Sequence, residues 1–278
     1  MKNKWNGVGF ILLFFIGALI LLYPDIANWW ASHNHAGLIE QYQRVIEEVP
    51  NEEIDYHFEL ARIYNASLTG ANIEDPFVAG SGYIIPDNYY DIFNLYRSMG
   101  FIEIPAIDIR IPIFHGTGDD VLNQGVGHIP QTPFPIGEVG NHSVLTGHTG
   151  IPNSRLFTDL ELLSVGDLFF VTIANQKMAY EVDQITVVLP HEISDLRNDP
   201  DKDFITLVTC TPYAINSHRL LVRGIRTEYI PDIEADIERL VNVINWRMIL
   251  IASILAFFAI STFVYRWIQL RALKRAKD

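Results

Sequence analysis

The sequence predicts a mainly β domain, a closed barrel or a sandwich, preceded by helices and bracketed by a transmembrane helix at each end. Three observations carry this. Two apolar runs stand near the ends of the 278 residues, at 7–23 and 248–267, each close to the ~20 residues that a helix needs to cross a bilayer. Between residues 101 and 227, short stretches rich in β-branched and aromatic residues are parted by turns. Ahead of them, apolar residues recur at helical spacing.

The runs read GVGFILLFFIGALILLY and MILIASILAFFAISTFVYRW. Aromatic residues stand near their boundaries, Trp5 and Tyr23 for the first, Trp246 and Trp267 for the second, as at membrane interfaces. Lys2 and Lys4 precede the first run; Arg266, Arg271, Lys274, Arg275 and Lys277 close the second. Short basic flanks stay in the cytoplasm, so both termini (1–6 and 268–278) are expected inside and the stretch between the runs outside. The PDIANWWASH that follows the first run offers no convincing small-x-small cleavage site, so this run is expected to remain as an anchor rather than to leave as a signal peptide.

Of the 20 Lys and Arg, seven lie in the terminal flanks; of the 33 acids only Asp278 does. The outer stretch therefore carries 32 acids against 13 basic residues, a net charge near −19. Such a surface repels phosphate and excludes a nucleic-acid partner; it suits peptides that carry Lys. The outer stretch holds one cysteine, so no disulfide forms within the chain. One Cys and scattered His lack metal-ligand spacing, and neither a metal nor a cofactor is expected.

A helical extension is expected over 24–67. Leu38, Ile39, Tyr42, Val45, Ile46 and Val49 repeat at helical spacing, as do Ile54, Phe58, Leu60, Ala61 and Tyr64, with Pro50 parting two helices. Residues 68–90, LTGANIEDPFVAGSGYIIPDNYY, are broken by Gly and Pro; so long a structureless connection is usually a functional lid or disordered. The strands are expected within 91–230: FIEIPAIDIRIPIF, DLFFVTI, MAYEVDQITVVL, DFITLVTC and RLLVRGIRT. LFTDLELL, 156–163, reads as a short helix, and 231–247 as a helical linker to the second run.

Three residues stand out for chemistry. Cys210 ends the strand FITLVTC, and Pro212 stops that strand just beyond it. Most free cysteines are small buried hydrophobes; a strand-end cysteine can instead offer its sulfur at a barrel mouth. His148 sits in LTGHTG, where the glycines imply a tight turn after a strand. It reads either as a surface histidine or as the base that a thiol needs to become thiolate. Arg219 lies nine residues after Cys210. Alternation puts Arg219, Leu221 and Arg223 on one strand face, with Leu220, Val222 and Gly224 on the other. An arginine beside a thiolate can lower its pKa and hold an oxyanion through its rigid fork of donors. For Arg223 and Arg226 a solvent-facing strand with surface ion pairs is the expectation.

Together these motifs resemble the sortases, the cysteine transpeptidases of Gram-positive cell surfaces. HGTGDDVLNQGVGHIPQTPFPIG, LTGHTG, LFTDLELLSVGD, YEVDQITVV and TLVTCTPYAINSHRLLVRG look like class C, the pilin-polymerising sortases, and the likeness spans roughly residues 40–226. It implies a closed barrel of about eight strands. It also implies that the Cys210 thiolate attacks the Thr-Gly bond of an LPxTG-like sorting signal. His148 would then protonate the leaving amine, and Arg219 would stabilise the oxyanion. A pilin Lys amine would resolve the acyl-enzyme, leaving an isopeptide bond. NIEDPF resembles the class C lid, so Asp75, Pro76 and Phe77 are expected to cover the site. The implied partners are pilin subunits and the lipid bilayer, at the cell membrane of a Gram-positive bacterium. A housekeeping sortase that anchors proteins to peptidoglycan would not need the lid and second span; a non-enzymatic receptor would not need Cys210, His148 and Arg219 together.

Overall fold

The computed structural model describes residues 2–68, 85–151, 154–196 and 198–231, with single helical positions between 253 and 267. The chain divides into two compact units, Met1–Pro231 and Asp232–Asp278. In the second, the described positions 253, 256, 258, 262, 266 and 267 are helical.

In the first unit, helix α1 (Lys2–Glu48) is followed by α2 (Asn51–Ser67). Pro50 stands between them, at the one place where its missing N–H costs a helix nothing. α1 carries Pro24 in its interior, so the apolar run and the extension share one helix. Among the described residues no helix is long and apolar enough to cross a membrane; the side chains of residues 1–12, 14 and 18 and most of residues 248–267 lie outside them. Of the residues at helical spacing, Ile39, Tyr42, Ile46, Ile54, Phe58, Ala61 and Tyr64 are buried in the main core.

Eight strands follow: β1 (Gly100–Ile104), β2 (Ile109–His115), β3 (Val126–His128), β4 (His142–Thr146), β5 (Leu168–Ile173), β6 (Gln176–Val188), β7 (Phe204–Thr211) and β8 (His218–Thr227). They close into a barrel in the order β1-β2-β3-β4-β7-β8-β6-β5. The stretch FIEIPAIDIRIPIF is two strands rather than one, because Pro105 starts a 3-10 turn, Pro105–Ile107, that ends with Asp108 in the left-handed region. LFTDLELL contains a 3-10 helix, Thr158–Leu162. Closure removes the sheet edges, which would otherwise expose unpaired backbone.

The helices are keyed into the barrel by polar bonds as well as by packing. The Tyr42 hydroxyl donates to the Met99 carbonyl and accepts from the Ala174 N–H, both at 2.7 Å. Tyr64 donates to the Pro130 carbonyl at 2.6 Å. Asn65 brackets Phe134, donating to its carbonyl and accepting from its N–H. Behind Phe134 lies a buried aromatic cluster with Tyr89, His115 and His128.

Candidate active site

β4 and β7 run parallel, with Thr146 in register with Val208. Both strands therefore leave the sheet at the same end, and His148 and Cys210 each lie two residues past that last matched pair. Parallel neighbours lie ~4.8 Å apart, so the register itself brings the two chain segments side by side. Cross-bonds tie the ends together. The Gly147 N–H donates to the Val208 carbonyl at 3.1 Å, and the Thr209 hydroxyl to the Gly147 carbonyl at 2.7 Å. Thr146 donates to the Val208 carbonyl at 3.2 Å.

β8 then runs antiparallel to β7, with Arg219 directly opposite Cys210. Opposed residues share a face. Leu207, Leu220 and Val222 enter the main core, whereas Val208 and Leu221 join a second apolar cluster with Ile129, Val144 and Leu196. By alternation, Cys210 and Arg219 belong to the face of Val208 and Leu221. The sulfur is thus set on the side of the β4-β7-β8 sheet away from the main barrel core, rather than at a barrel mouth.

Cys210 is half-buried, unlike the buried cysteines that act as small hydrophobes. Arg219 is only 6 % exposed, and its Nη1 donates to the carbonyls of Asn216 (3.2 Å) and His218 (3.0 Å). Those bonds fix the guanidinium plane. Arg223, four residues on, is committed elsewhere: its Nε and Nη2 grip both Asp183 carboxylate oxygens at 2.9 and 2.7 Å, and it lies over the Phe204 ring. Arg226 lies over Tyr180. Of the three arginines on this strand, Arg219 alone stands opposite the thiol.

The glycines around His148 have separate reasons. A Cβ at Gly147 would lie 2.9 Å from Cδ2 of the buried Phe157, whose N–H donates to the His148 carbonyl at 3.1 Å. Gly150 has φ +72°, a conformation that favours glycine, and its N–H donates to the Thr158 hydroxyl. Burial lowers the His148 pKa, an effect opposed by the negative charge of Asp119. Asp119, in the short helix α3 (Asp119–Leu122), is a member of the site's electrostatics that sequence reasoning missed; the only hint was the acidic pair after HGTG. Asp75, Pro76 and Phe77 lie outside the described residues. Among the described residues no group of His, Cys, Asp and Glu could hold a metal ion.

A closed eight-stranded barrel thus carries at one strand end a half-buried thiol, an opposed arginine and a glycine-flanked histidine, the side-chain types that thiol-dependent acyl transfer uses. The sortase domain family matches residues 102–227. Sortase A of Staphylococcus aureus is 30% identical over 216 residues, spanning 76% of this chain and 88% of that protein. Among solved structures, a mutant of sortase C-1 from S. pneumoniae is 40% identical with TM-score 0.65, covering 69% of this chain and 98% of that one. Sortase C1 of Streptococcus agalactiae is 40% identical with TM-score 0.64, covering 72% and 97%. Sortase C-1 of Actinomyces oris is 42% identical with TM-score 0.60, covering 64% and 99%. The chain belongs to the sortase family and is a cysteine transpeptidase; its likeness to these solved structures is to class C.

Proposed function

We propose that this sortase polymerises pilin subunits at a Gram-positive cell membrane, with Cys210 as nucleophile, His148 as proton carrier and Arg219 as oxyanion and substrate clamp. The observation that supports these roles is the strand register: Cys210 pairs with Arg219, and the β4 end that leads into His148 is bonded to β7 through Gly147 and Thr209. The Cys210 thiolate adds to the Thr carbonyl carbon of an LPxTG-like signal. The oxyanion that forms is met by the Arg219 guanidinium, pre-set by its backbone bonds. His148 delivers a proton to the leaving Gly nitrogen as the C–N bond breaks. A Lys amine of the next pilin then attacks the thioester and returns the thiol, giving an isopeptide bond. Identity near 40% to a pilus-related sortase C of Group B Streptococcus and its kin supports the pilin substrate.

Two membrane anchors, 7–23 and 248–267, with both termini cytoplasmic, belong to the same reading. Their length, basic flanks and boundary aromatics support it, as does the row of exposed apolar side chains on α1 that includes Leu13, Ile16, Leu19 and Ile20. A lid formed by Asp75, Pro76 and Phe77 is part of the same proposal, supported by the resemblance of NIEDPF to the class C lid. The test is incubation of the full chain, in detergent, with candidate pilins. SDS-resistant ladders that need Cys210 are the expected outcome; release of a hydrolysed pilin alone, without ladders, would overturn polymerisation.

A further inference from the structure

The loop between β7 and β8, residues 212–217, joins Cys210 to Arg219 along the chain, and it also touches the third catalytic segment. A Cβ built on Gly150 would lie 3.1, 3.4 and 3.5 Å from Cε2, Cδ2 and Cζ of Tyr213. The Tyr213 ring is therefore seated on the Cα of Gly150, two residues beyond His148. The loop that carries the ring is held by its own backbone bonds. Ile215 and Asn216 both donate their N–H to the Pro212 carbonyl, at 3.0 and 2.9 Å, and Ala214 and Asn216 hold φ of +64° and +57°. At its far end the Asn216 carbonyl accepts from Arg219.

Tyr213 is nevertheless 59 % exposed. A large aromatic side chain left that open contributes little to a core, and among the described residues its ring lies against the histidine turn. We infer that Tyr213 is a positioning residue: its ring clamps the turn 147–150 against the 212–217 loop, so that one short loop sets His148 and Arg219 together relative to Cys210. The contact is made by carbon atoms of the ring, so it needs the aromatic face rather than the hydroxyl. Gly150 is required on the other side, because any side chain there would occupy the ring's seat as well as straining a left-handed φ.

This inference rests on the assignment of His148 and Cys210 above. Its test uses the full chain in detergent and a fluorogenic Leu-Pro-Glu-Thr-Gly peptide. Tyr213→Ala should lower kcat by about 10-fold to 100-fold, the scale of loss when a catalytic group is misplaced by about 1 Å, with KM little changed. Tyr213→Phe should restore most of the turnover. Gly150→Ala should reproduce the Tyr213→Ala loss. In Tyr213→Ala the pH midpoint for iodoacetamide labelling of Cys210 should move upward, because a thiol parted from its histidine ionises less readily. A merely structural role would lower Tm without moving that midpoint. His148→Ala is measured alongside. If it abolishes turnover while Tyr213→Ala matches the wild type in kcat and labelling midpoint, the clamp is refuted and the site stands. If His148→Ala retains full turnover, the site assignment itself fails.

Discussion

Acid should destabilise this fold through a histidine that the chemistry does not use. His128 is fully buried. Its Nε2 faces the Pro133 carbonyl at 2.9 Å, an acceptor with no proton, so Nε2 carries the hydrogen, and the Tyr89 hydroxyl lies 3.1 Å from both Nδ1 and the His128 carbonyl, to which it donates. Burial drives its pKa down from 6.5 to about 3. Between those values the unfolded chain binds the proton and the folded chain does not, so stability falls as pH falls through 6.5. Over pH 7 to 5 the linkage integral for this one residue is a loss of about 2 kcal/mol. Asp203 works the other way. Burial raises its carboxyl from 3.8 to about 6 while Tyr180 donates to it at 3.0 Å. The folded state binds that proton first, which returns about 1 kcal/mol over the same range. The wild-type response is therefore blunted, and Asp203→Asn is the background in which to look. In that variant, Tm by circular dichroism in detergent should fall by about 4–8 °C from pH 7 to pH 5, at 2–4 °C per kcal/mol for a domain of this size. His35, His57 and His115 are lowered by burial too and add with the same sign. Adding His128→Gln should make the slope shallower. An equal Tm at both pH values in Asp203→Asn would refute the reasoning.

Other perturbations test the site and its frame. Arg219→Lys keeps the charge but loses the planar fork, and peptide turnover should drop by about 10²–10³; Arg223→Lys, which only loosens the pair with Asp183, should cost far less, and the reverse order would mean that the wrong arginine has been chosen. Asp75→Ala combined with Phe77→Ala should speed thiol-reagent labelling of Cys210 and raise cleavage of the short peptide, and unchanged labelling would show that 68–90 does not gate the thiol. Gly147→Ala drives a methyl into Phe157 and should lower stability by about 1–3 kcal/mol by denaturant titration, with a loss of turnover because the His148 turn moves. Tyr42→Phe leaves the Met99 carbonyl and the Ala174 N–H without their bonds to its hydroxyl, and should cost about 1–3 kcal/mol.

Much of the fold was legible along the chain because its signals are local. Helical spacing marks eleven apolar positions from Leu38 to Tyr64; α1 and α2 bury Ile39, Tyr42, Ile46, Ile54, Phe58, Ala61 and Tyr64, and leave Leu38, Val45, Val49 and Leu60 half-buried. Strand alternation separates Arg219 and Leu221 from Leu220 and Val222, and Leu221 does enter a different apolar cluster from Leu220 and Val222. Periodicity of 3.6 or 2 is a property of neighbouring residues, so a short window reveals it. Proline punctuation is equally local at Pro50, though at Pro105 it splits a stretch that reads as one strand.

Other features depended on which strands meet. Barrel or sandwich could not be decided from alternation, since both bury one face of each strand; the pairing of β1 with β5 closes the ring. Whether Cys210 looks into a barrel mouth or across an outer face follows from what covers Val208 and Leu221, residues as distant as Ile129 and Leu196. Arg223 is set apart from Arg219 by Asp183, 40 residues earlier in the chain, and by the Phe204 ring beneath it. Asp119 beside His148 and Tyr213 on Gly150 carry no spacing signal at all. By itself the sequence determined the helices before the barrel, most of its strands and three reactive side chain types at recognisable spacings, but neither β3 nor the break at Pro105. The tertiary structure alone decided the parallel match of β4 with β7 and the opposition of Cys210 to Arg219. The β4–β7 register is an agreement between segments some 60 residues apart, reached through closure and core packing that no short window of residues contains, whereas the β7–β8 register is set by the short 212–217 loop between the two strands.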